Sequence, residues 1–305
     1  MNGAAMKLTI DQSAHDQRVD RYFRKRFPGI SRNEIFRLLR TRPVRRDGKK
    51  LKPNDRVFEG DVLEFTWPQD LDTAAPPRQT VSGDLTVISE GDDWLVVYKP
   101  VGLKTIPDRA GEKSLSLLVQ SVFSQDQTDT FRMSPISRLD RNTSGLVLFG
   151  RTYTGLQKYN ELMRQGELHK YYLAIVFGTI EEAGTWRVRM EKDRLKNKVQ
   201  VGRGQMTETR IKPLATNGKK SLIEIELITG HAHQIRALMQ HLGHPIEGDP
   251  KYGRGGSFQW LCAHRLKFDG QEIYYLSPEY RTRLEQEFNY VAEANHPDTG
   301  RKLSI

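Results

Sequence analysis

The segment Ser137 to Phe149, SRLDRNTSGLVLF, sets one carboxylate, Asp140, between Arg138 and Arg141 and follows it with small polar residues and an apolar run. Four chemistries bear on such a residue. Glycoside hydrolysis needs two carboxylates facing each other across a bond, and Asp140 has no acidic neighbour in its own segment. Metal-assisted hydrolysis needs clustered ligands, and GHAHQIRALMQHLGH offers His231, His233, His241 and His244. His-x-His spacing occurs in zinc sites. No carboxylate or cysteine completes a set nearby, however, and the stretch reads as one amphipathic helix with Ile235, Leu238, Met239 and Leu242 inward. Metal is therefore not expected, and the histidines read as hydrogen-bonding, packing or pocket residues. Serine hydrolysis through Ser137 or Ser144 lacks the GxSxG turn. The fourth chemistry is a single carboxylate attacking a sugar carbon. Flanking arginines suit it, since cations lower a carboxyl pKa and fix its orientation. On these residues alone, an Arg–Asp surface turn before a strand fits as well.

The elements that must position Asp140 read as many strands and few helices. LTVISEG, WLVVYKP, LVLFG, KYYLAIVFG, TWRVRM, SLIEIELITG and WLCAHRLKF have strand patterns; SLSLLVQSVFS, LQKYNELMRQG and HQIRALMQHLG have helical ones. Helices do not alternate regularly with strands, so the class is α+β, with a mixed, mainly antiparallel sheet. This catalytic domain is expected over 85–305, after a linker at 68–84 that is rich in Pro, Asp, Thr and Ala.

A separate domain is expected over 1–67. RVDRYFRKRFPG puts Val19, Tyr22, Phe23 and Phe27 on one helical face before Pro28-Gly29 stops it. SRNEIFRLLR begins with a capping box, Ser31 and Glu34, and turns Arg32, Arg37 and Arg40 outward. Asp47-Gly48 predicts a tight hairpin turn, and RVFEGDVLEF a closing strand. This order resembles the ribosomal S4-type RNA-binding domain, with Arg42-Pro43 where that family more often has glycine. The resemblance implies that Arg32, Arg37 and Arg40 bind RNA.

Charge supports that division. Of a net charge of +10, the stretch Arg18 to Lys52 carries 14 Lys or Arg against 3 Asp or Glu, and the remainder is close to neutral. A concentrated basic block on a folding pattern reads as a polyanion dock. The 305 residues are 37% hydrophobic and 28% charged, as in globular proteins. No apolar run of about 18 residues is present to span a membrane, and the start lacks the pattern of a signal peptide. The single cysteine, Cys262, excludes an internal disulfide. A cytoplasmic monomer without membrane contact is expected.

RLDRNTSGLVLF resembles the signature HRLDRxTSG of the RluA-type pseudouridine synthases. Four further blocks resemble that family in its order: WLVVYKPVGL, KYYLAIVFG, LITGHAHQIRALMQHLGHPIEGDPKYG and LCAHRLKF, spanning Trp94 to Phe268. The resemblance implies that Asp140 attacks the target uridine at the ribose or the base. Arg138 helps displace the base from the RNA stack, and Tyr172 stacks on the uracil and takes part in proton transfer. Arg236 pairs with the aspartate, with Ile235 as its apolar pocket neighbour. The departures are Ser137 for His, Asn142 for Asp, His231 for Arg, and Ile106 and Cys262 where many relatives have His; they bear on fine substrate contacts.

The implied reaction is an isomerisation of uridine to pseudouridine in structured RNA, requiring no cofactor. Large-subunit ribosomal RNA is the expected substrate because S4-bearing relatives commonly act there, with transfer RNA the runner-up. Two rivals remain: a non-catalytic RNA-binding ribosome-assembly factor, and a metal-dependent RNA hydrolase using the histidines.

Overall fold

The computed structural model describes residues 4–67, 80–109, 111–128, 130–193, 198–292 and 300–304. In the N-terminal part, β1 (Ala4–Thr9) and β2 (Gln17–Arg18) lead into α1 (Val19–Arg26) and α2 (Arg32–Thr41). The strands β3 (Arg45–Arg46), β4 (Lys49–Lys50), β5 (Arg56–Val57) and β6 (Val62–Trp67) come next. The amphipathic spacing of α1 buries Val19, Tyr22 and Phe23 against Phe65 and Trp67 of β6. Ser31 caps α2 by accepting the Glu34 N–H at 3.2 Å. Asp47 and Gly48 join β3 to β4 with φ of 51° and 74°, the left-handed pair that a two-residue hairpin turn requires. β1 was not read from the sequence; it pairs antiparallel with β6 along its whole length. Arg32, Arg37 and Arg40 are exposed on α2. Arg32 lies over the Phe36 ring, and Arg37 donates to Glu34 at 2.7 Å.

Residues 68–79 of the expected linker lie outside the described residues. Asp84 already opens a strand, and the Val81 N–H donates to Ser121 Oγ at 3.1 Å. The N-terminal part touches the larger, C-terminal part. Ser13 Oγ stands 2.6 and 2.7 Å from the hydroxyls of Thr128 and Thr130, and the Lys25 ammonium lies 5.2 Å from the centre of the Tyr153 ring.

The larger part begins with β7 (Asp84–Glu90), β8 (Trp94–Lys99), α3 (Leu115–Val122), β9 (Ser134–Pro135), β10 (Ser144–Gly150) and α4 (Tyr153–Gln165). It continues with β11 (His169–Phe177), β12 (Gly184–Asp193), β13 (Lys198–Val201), β14 (Gln205–Thr216), β15 (Lys220–Leu227) and α5 (Gln234–His241). It closes with β16 (Leu261–Phe268), β17 (Gln271–Tyr274), α6 (Pro278–Phe288) and β18 (Arg301–Ser304). Among the described residues these strands form one sheet in the order β13-β12-β14-β15-β11-β16-β10-β8-β7-β18, with β17 on β16 and β9 on β10. Among the described strands of this sheet, β10 and β16 run parallel and the other pairs are antiparallel, so the α+β reading holds.

Both faces of the sheet are covered. Val147 and Phe149 of β10 pack with Tyr172, Ala174 and Val176 of β11 and with residues of α3 and α5. Leu146 and Leu148 face the other way, toward Tyr159 of α4 and Phe268. Burial on both sides explains why LVLFG is a continuous apolar run rather than an alternating one. Gly145 opens that run at φ 122°, where an added Cβ would lie 2.3 Å from the Ala263 carbonyl oxygen. The close parallel approach of β10 to β16 therefore requires glycine at this position, and Asp140 stands in the loop just before it.

Candidate active site

Asp140 lies in a loop that its neighbours hold by backbone contacts. Thr105 Oγ1 donates to the Leu139 carbonyl and accepts the Leu139 N–H, both at 3.0 Å. The Gly102 N–H donates to the Arg141 carbonyl at 2.9 Å, and the Thr143 N–H to the Asp140 carbonyl at 3.1 Å. Beneath them Lys99, fully buried, donates from Nζ to the carbonyls of Pro100, Leu103 and Arg141 at 3.0, 2.7 and 3.1 Å. Burial pulls its pKa down to about 7, with Asp140 opposing, while the three carbonyl acceptors favour the charged amine.

The arginines flanking Asp140 in sequence do not hold its carboxylate, contrary to expectation. Arg141 turns away to donate from Nε to the Gly102 carbonyl at 3.0 Å. Arg138 is exposed on the wall of the cleft. Successive side chains on a tight loop diverge, and here the cation arrives from elsewhere. Arg236, in the first turn of α5, donates from Nη1 to Asp140 Oδ2 at 2.8 Å. Its other two nitrogens bind Asp249 in a bidentate pair at 2.7 and 2.8 Å. Asp249 is fully buried and also accepts the N–H groups of Lys251 and Tyr252. Burial works against ionisation of its carboxyl. The hydrogen bonds and charge of Arg236 outweigh that and hold the pKa below the ordinary value. Arg236 itself stays charged: burial opposes this, but both carboxylates push its pKa up.

The histidine segment is not one helix. Helix α5 spans only Gln234–His241, and His233 precedes it in the left-handed region at φ 54°. That conformation points the His233 ring into the site. Its Nδ1 lies 2.9 Å from Tyr252 Oη and its Nε2 3.9 Å from Asp140. Burial lowers the His233 pKa, with the charge of Asp140 opposing, so the neutral ring prevails near pH 7. His244 binds the Phe177 carbonyl instead, at 2.9 Å. Among the described residues no group of three or more His, Cys, Asp or Glu is placed to hold a metal ion.

Tyr172 reaches the same cleft from β11. The β11–β16 register shifts here: Tyr171 faces Arg265, and Tyr172 faces Ala263, leaving His264 as an extra residue on β16. Such a bulge re-aims side chains locally. The Tyr172 ring is buried against the core, and burial together with the charge of Asp140 pushes its phenol pKa up. Ile235 is buried on the cleft wall beside Arg236. The cleft, about 900 Å³, thus gathers Asp140, Tyr172, Arg236, Arg138 and Ile235 from three distant segments. Arg32, Arg37 and Arg40 do not line it.

Sequence reasoning passed over Asp249, Tyr252, Lys99 and Thr105. Asp249 and Tyr252 stood inside the block GHPIEGDPKYG, and Lys99 inside WLVVYKPVGL, but nothing in their spacing assigned them a contact.

Known proteins resemble the chain both in sequence and in fold. The family described as RNA pseudouridylate synthase matches residues 93–241. Ribosomal large subunit pseudouridine synthase D of Xanthomonas campestris pv. campestris is 30% identical over 258 residues, covering 83% of this chain and 76% of its own. Ribosomal large subunit pseudouridine synthase C of Escherichia coli (strain K12) is 29% identical over 316 residues, covering 98% of this chain and 90% of its own. Among solved structures, that of Human RNA Pseudouridylate Synthase Domain Containing 4 has a TM-score of 0.55 at 18% identity, covering 66% of this chain and 92% of that one, a likeness of fold alone. With a catalytic core of this fold and relatives of this closeness, the chain belongs to the RNA pseudouridylate synthase family, whose members are isomerases.

Proposed function

We propose that the chain converts uridine to pseudouridine in large-subunit ribosomal RNA, with Asp140 as the attacking group. The observation that carries this reading is the hydrogen bond from Arg236 to Asp140, made by a guanidinium that Asp249 fixes from behind. A carboxylate held in this way is oriented and open to the cleft, as a nucleophile must be. The names of the relatives, which specify the ribosomal large subunit, support the substrate.

The reaction breaks the bond from uracil N1 to ribose C1′ and forms one from C5 to C1′. Asp140 attacks at the ribose or the base, and the bond it forms breaks again before product leaves, which regenerates the carboxylate. C5 loses its proton and N1 gains one, so the atoms balance without a redox partner. Tyr172, kept protonated by its surroundings, offers a flat ring to the uracil and a hydroxyl to proton transfer. Ile235 closes the apolar side of the pocket. The target base must leave its stack, at about a few kcal/mol. Arg138, exposed at the rim, fills the vacated place. The N-terminal part, with Arg32, Arg37 and Arg40 exposed on α2, acts as an S4-type dock whose phosphate contacts add affinity without reading sequence. The protein acts as a monomer in the cytoplasm.

Mapping pseudouridines in ribosomal and transfer RNA from cells with and without the gene tests the substrate. Loss of one or more sites in large-subunit RNA is expected; loss confined to transfer RNA would reassign it. Asp140→Asn is expected to abolish product in single-turnover assays while leaving RNA affinity nearly intact. Activity within about tenfold of wild type would remove Asp140 from its role, since an amide cannot replace the carboxylate in covalent chemistry.

A further inference from the structure

Lys170 stands on β11 two residues before Tyr172, so both side chains leave the same face of the strand, about 7 Å apart along it. The residue is only 8% exposed, and it lines the cleft. Buried lysines are ordinarily paired. Lys99, deeper still, commits its ammonium to three carbonyls. Among the described residues, none is hydrogen-bonded or ion-paired to Lys170 Nζ. Burial alone lowers its pKa, and no neighbouring carboxylate opposes the shift.

The space in front of the ammonium is kept clear. Gly230 lies opposite, and a Cβ built there would approach Lys170 Nζ to 3.2 Å. Gly230 has no positive φ, so its backbone does not demand glycine; the missing side chain leaves room at the nitrogen. A buried cation without an anion, facing the open cleft that also holds Asp140, is a receptor for a negative group that arrives with the substrate.

We propose that Lys170 receives a backbone phosphate of the RNA next to the uridine that enters the cleft. The proposal rests on the reading of this cleft as the uridine site given above. A uridine turned out of its stack carries phosphate on both sides, and these must follow the sugar toward Asp140. An ammonium suits such an oxygen cluster because it is a point charge with three rotatable donors and makes no demand for one planar geometry. The contact fixes the ribose relative to Asp140 without reading the base. It is also distinguishable from a contact to a uracil carbonyl. Neutralising a phosphate releases counterions and steepens the salt dependence of binding, whereas bonding to a carbonyl does not.

The test uses full-length Asp140→Asn protein, which prevents turnover, and a transcript of large-subunit ribosomal RNA as probe. Dissociation constants are measured over a salt series with Lys170 intact and with Lys170→Met, Lys170→Gln and Lys170→Arg. Met and Gln keep much of the stem and remove the charge, so that one of them serves if the other does not fold. The expected result is several-fold weaker binding at low salt for Met or Gln, with a log–log slope shallower by about 0.7 to 0.9. Arg is expected to restore the parental slope. A slope unchanged in the neutral variants, whatever their affinity, would overturn the proposal and leave Lys170 a packing or base-contacting residue. Binding by the parent that does not vary with salt would instead remove the RNA reading on which the proposal stands.

Discussion

Asp249 takes two hydrogen bonds from Arg236, at 2.7 and 2.8 Å, and this pair aims the remaining guanidinium nitrogen at Asp140. The nucleophile's orientation is thus set by a carboxylate that does not touch it. Asp249 follows α5 on the turn Ile246 to Tyr252, so the geometry around Asp140 depends on how that turn packs.

Breaking a buried pair by removing one partner costs about 3 to 5 kcal/mol, because an uncompensated charge is left behind. Asp249→Asn is therefore expected to lower Tm on the order of 10 °C for a domain of this size. Activity should fall on the order of 10²-fold through misplacement of Arg236. The pH dependence follows from the depressed carboxyl. Its stabilisation is fully present above the unfolded-state pKa, about 3.9, and is lost as pH falls through the lower folded value. Denaturation of wild type and Asp249→Asn from pH 3 to 8 checks this. A stability difference that is flat down to pH 3 would show that the loss is steric rather than ionic.

Tyr172 carries a phenol whose pKa is raised by burial and by the negative charge of Asp140. Single-turnover rates are therefore expected to show no loss from tyrosine ionisation up to about pH 10, the ordinary tyrosine value. A descending limb near that pH that disappears in Tyr172→Phe would contradict the burial argument. Loss of fold at high pH is separated by recording circular dichroism under the same conditions.

Tyr252 shares one hydroxyl between two partners: it accepts the Val199 N–H at 2.7 Å and lies 2.9 Å from His233 Nδ1. Tyr252→Phe leaves a buried N–H without its acceptor, at a cost of about 1 to 3 kcal/mol. The expected fall in Tm is a few degrees, and thermal unfolding of the purified variant reads it. An unchanged Tm would mean that water satisfies Val199.

Asp140 was legible because its motif is contiguous and ends in a strand apolar on both faces. Its partner was legible only through resemblance. Arg236 lies 96 positions away, and the local sequence pointed instead to Arg138 and Arg141, which the loop turns elsewhere. The histidine segment misled for a related reason. Helical periodicity is real from Gln234 onward, but it does not reveal that His233 sits in the left-handed region. The strands β13 and β14, which pair with β12 from either side, were missed because the buried positions of β14 include Thr207 and Thr209, polar residues that hide the apolar alternation. β18 was invisible for another reason. Its pairing with β7 joins Ser304 to Asp84, the far ends of the catalytic part, and no local pattern encodes that contact. Helix α6 did leave a signal, Ser277 as cap and Pro278 in the first turn, that the charged run after it obscured.

Helix α2 presents Arg32, Arg37 and Arg40 to solvent, and none of them lines the cleft. Arg37 is partly engaged by Glu34, an exposed pair of small energetic weight that a phosphate can displace. If this face docks RNA, reversing all three charges removes phosphate contacts but leaves the chemistry at Asp140 intact. The slope of log affinity against log salt should become shallower by about 0.7 to 0.9 for each phosphate no longer neutralised. Single-turnover rates at saturating enzyme should stay near wild type, because saturation restores occupancy. The measurement is a salt series on large-subunit ribosomal RNA with Asp140→Asn protein, with and without the three reversals, beside turnover assays in the active background. Equal slopes would show that the basic helix is not the dock. A shallower slope accompanied by a collapsed rate at saturation would show that the N-terminal part also shapes the cleft, which the contacts of Ser13 with Thr128 and Thr130 make physically accessible.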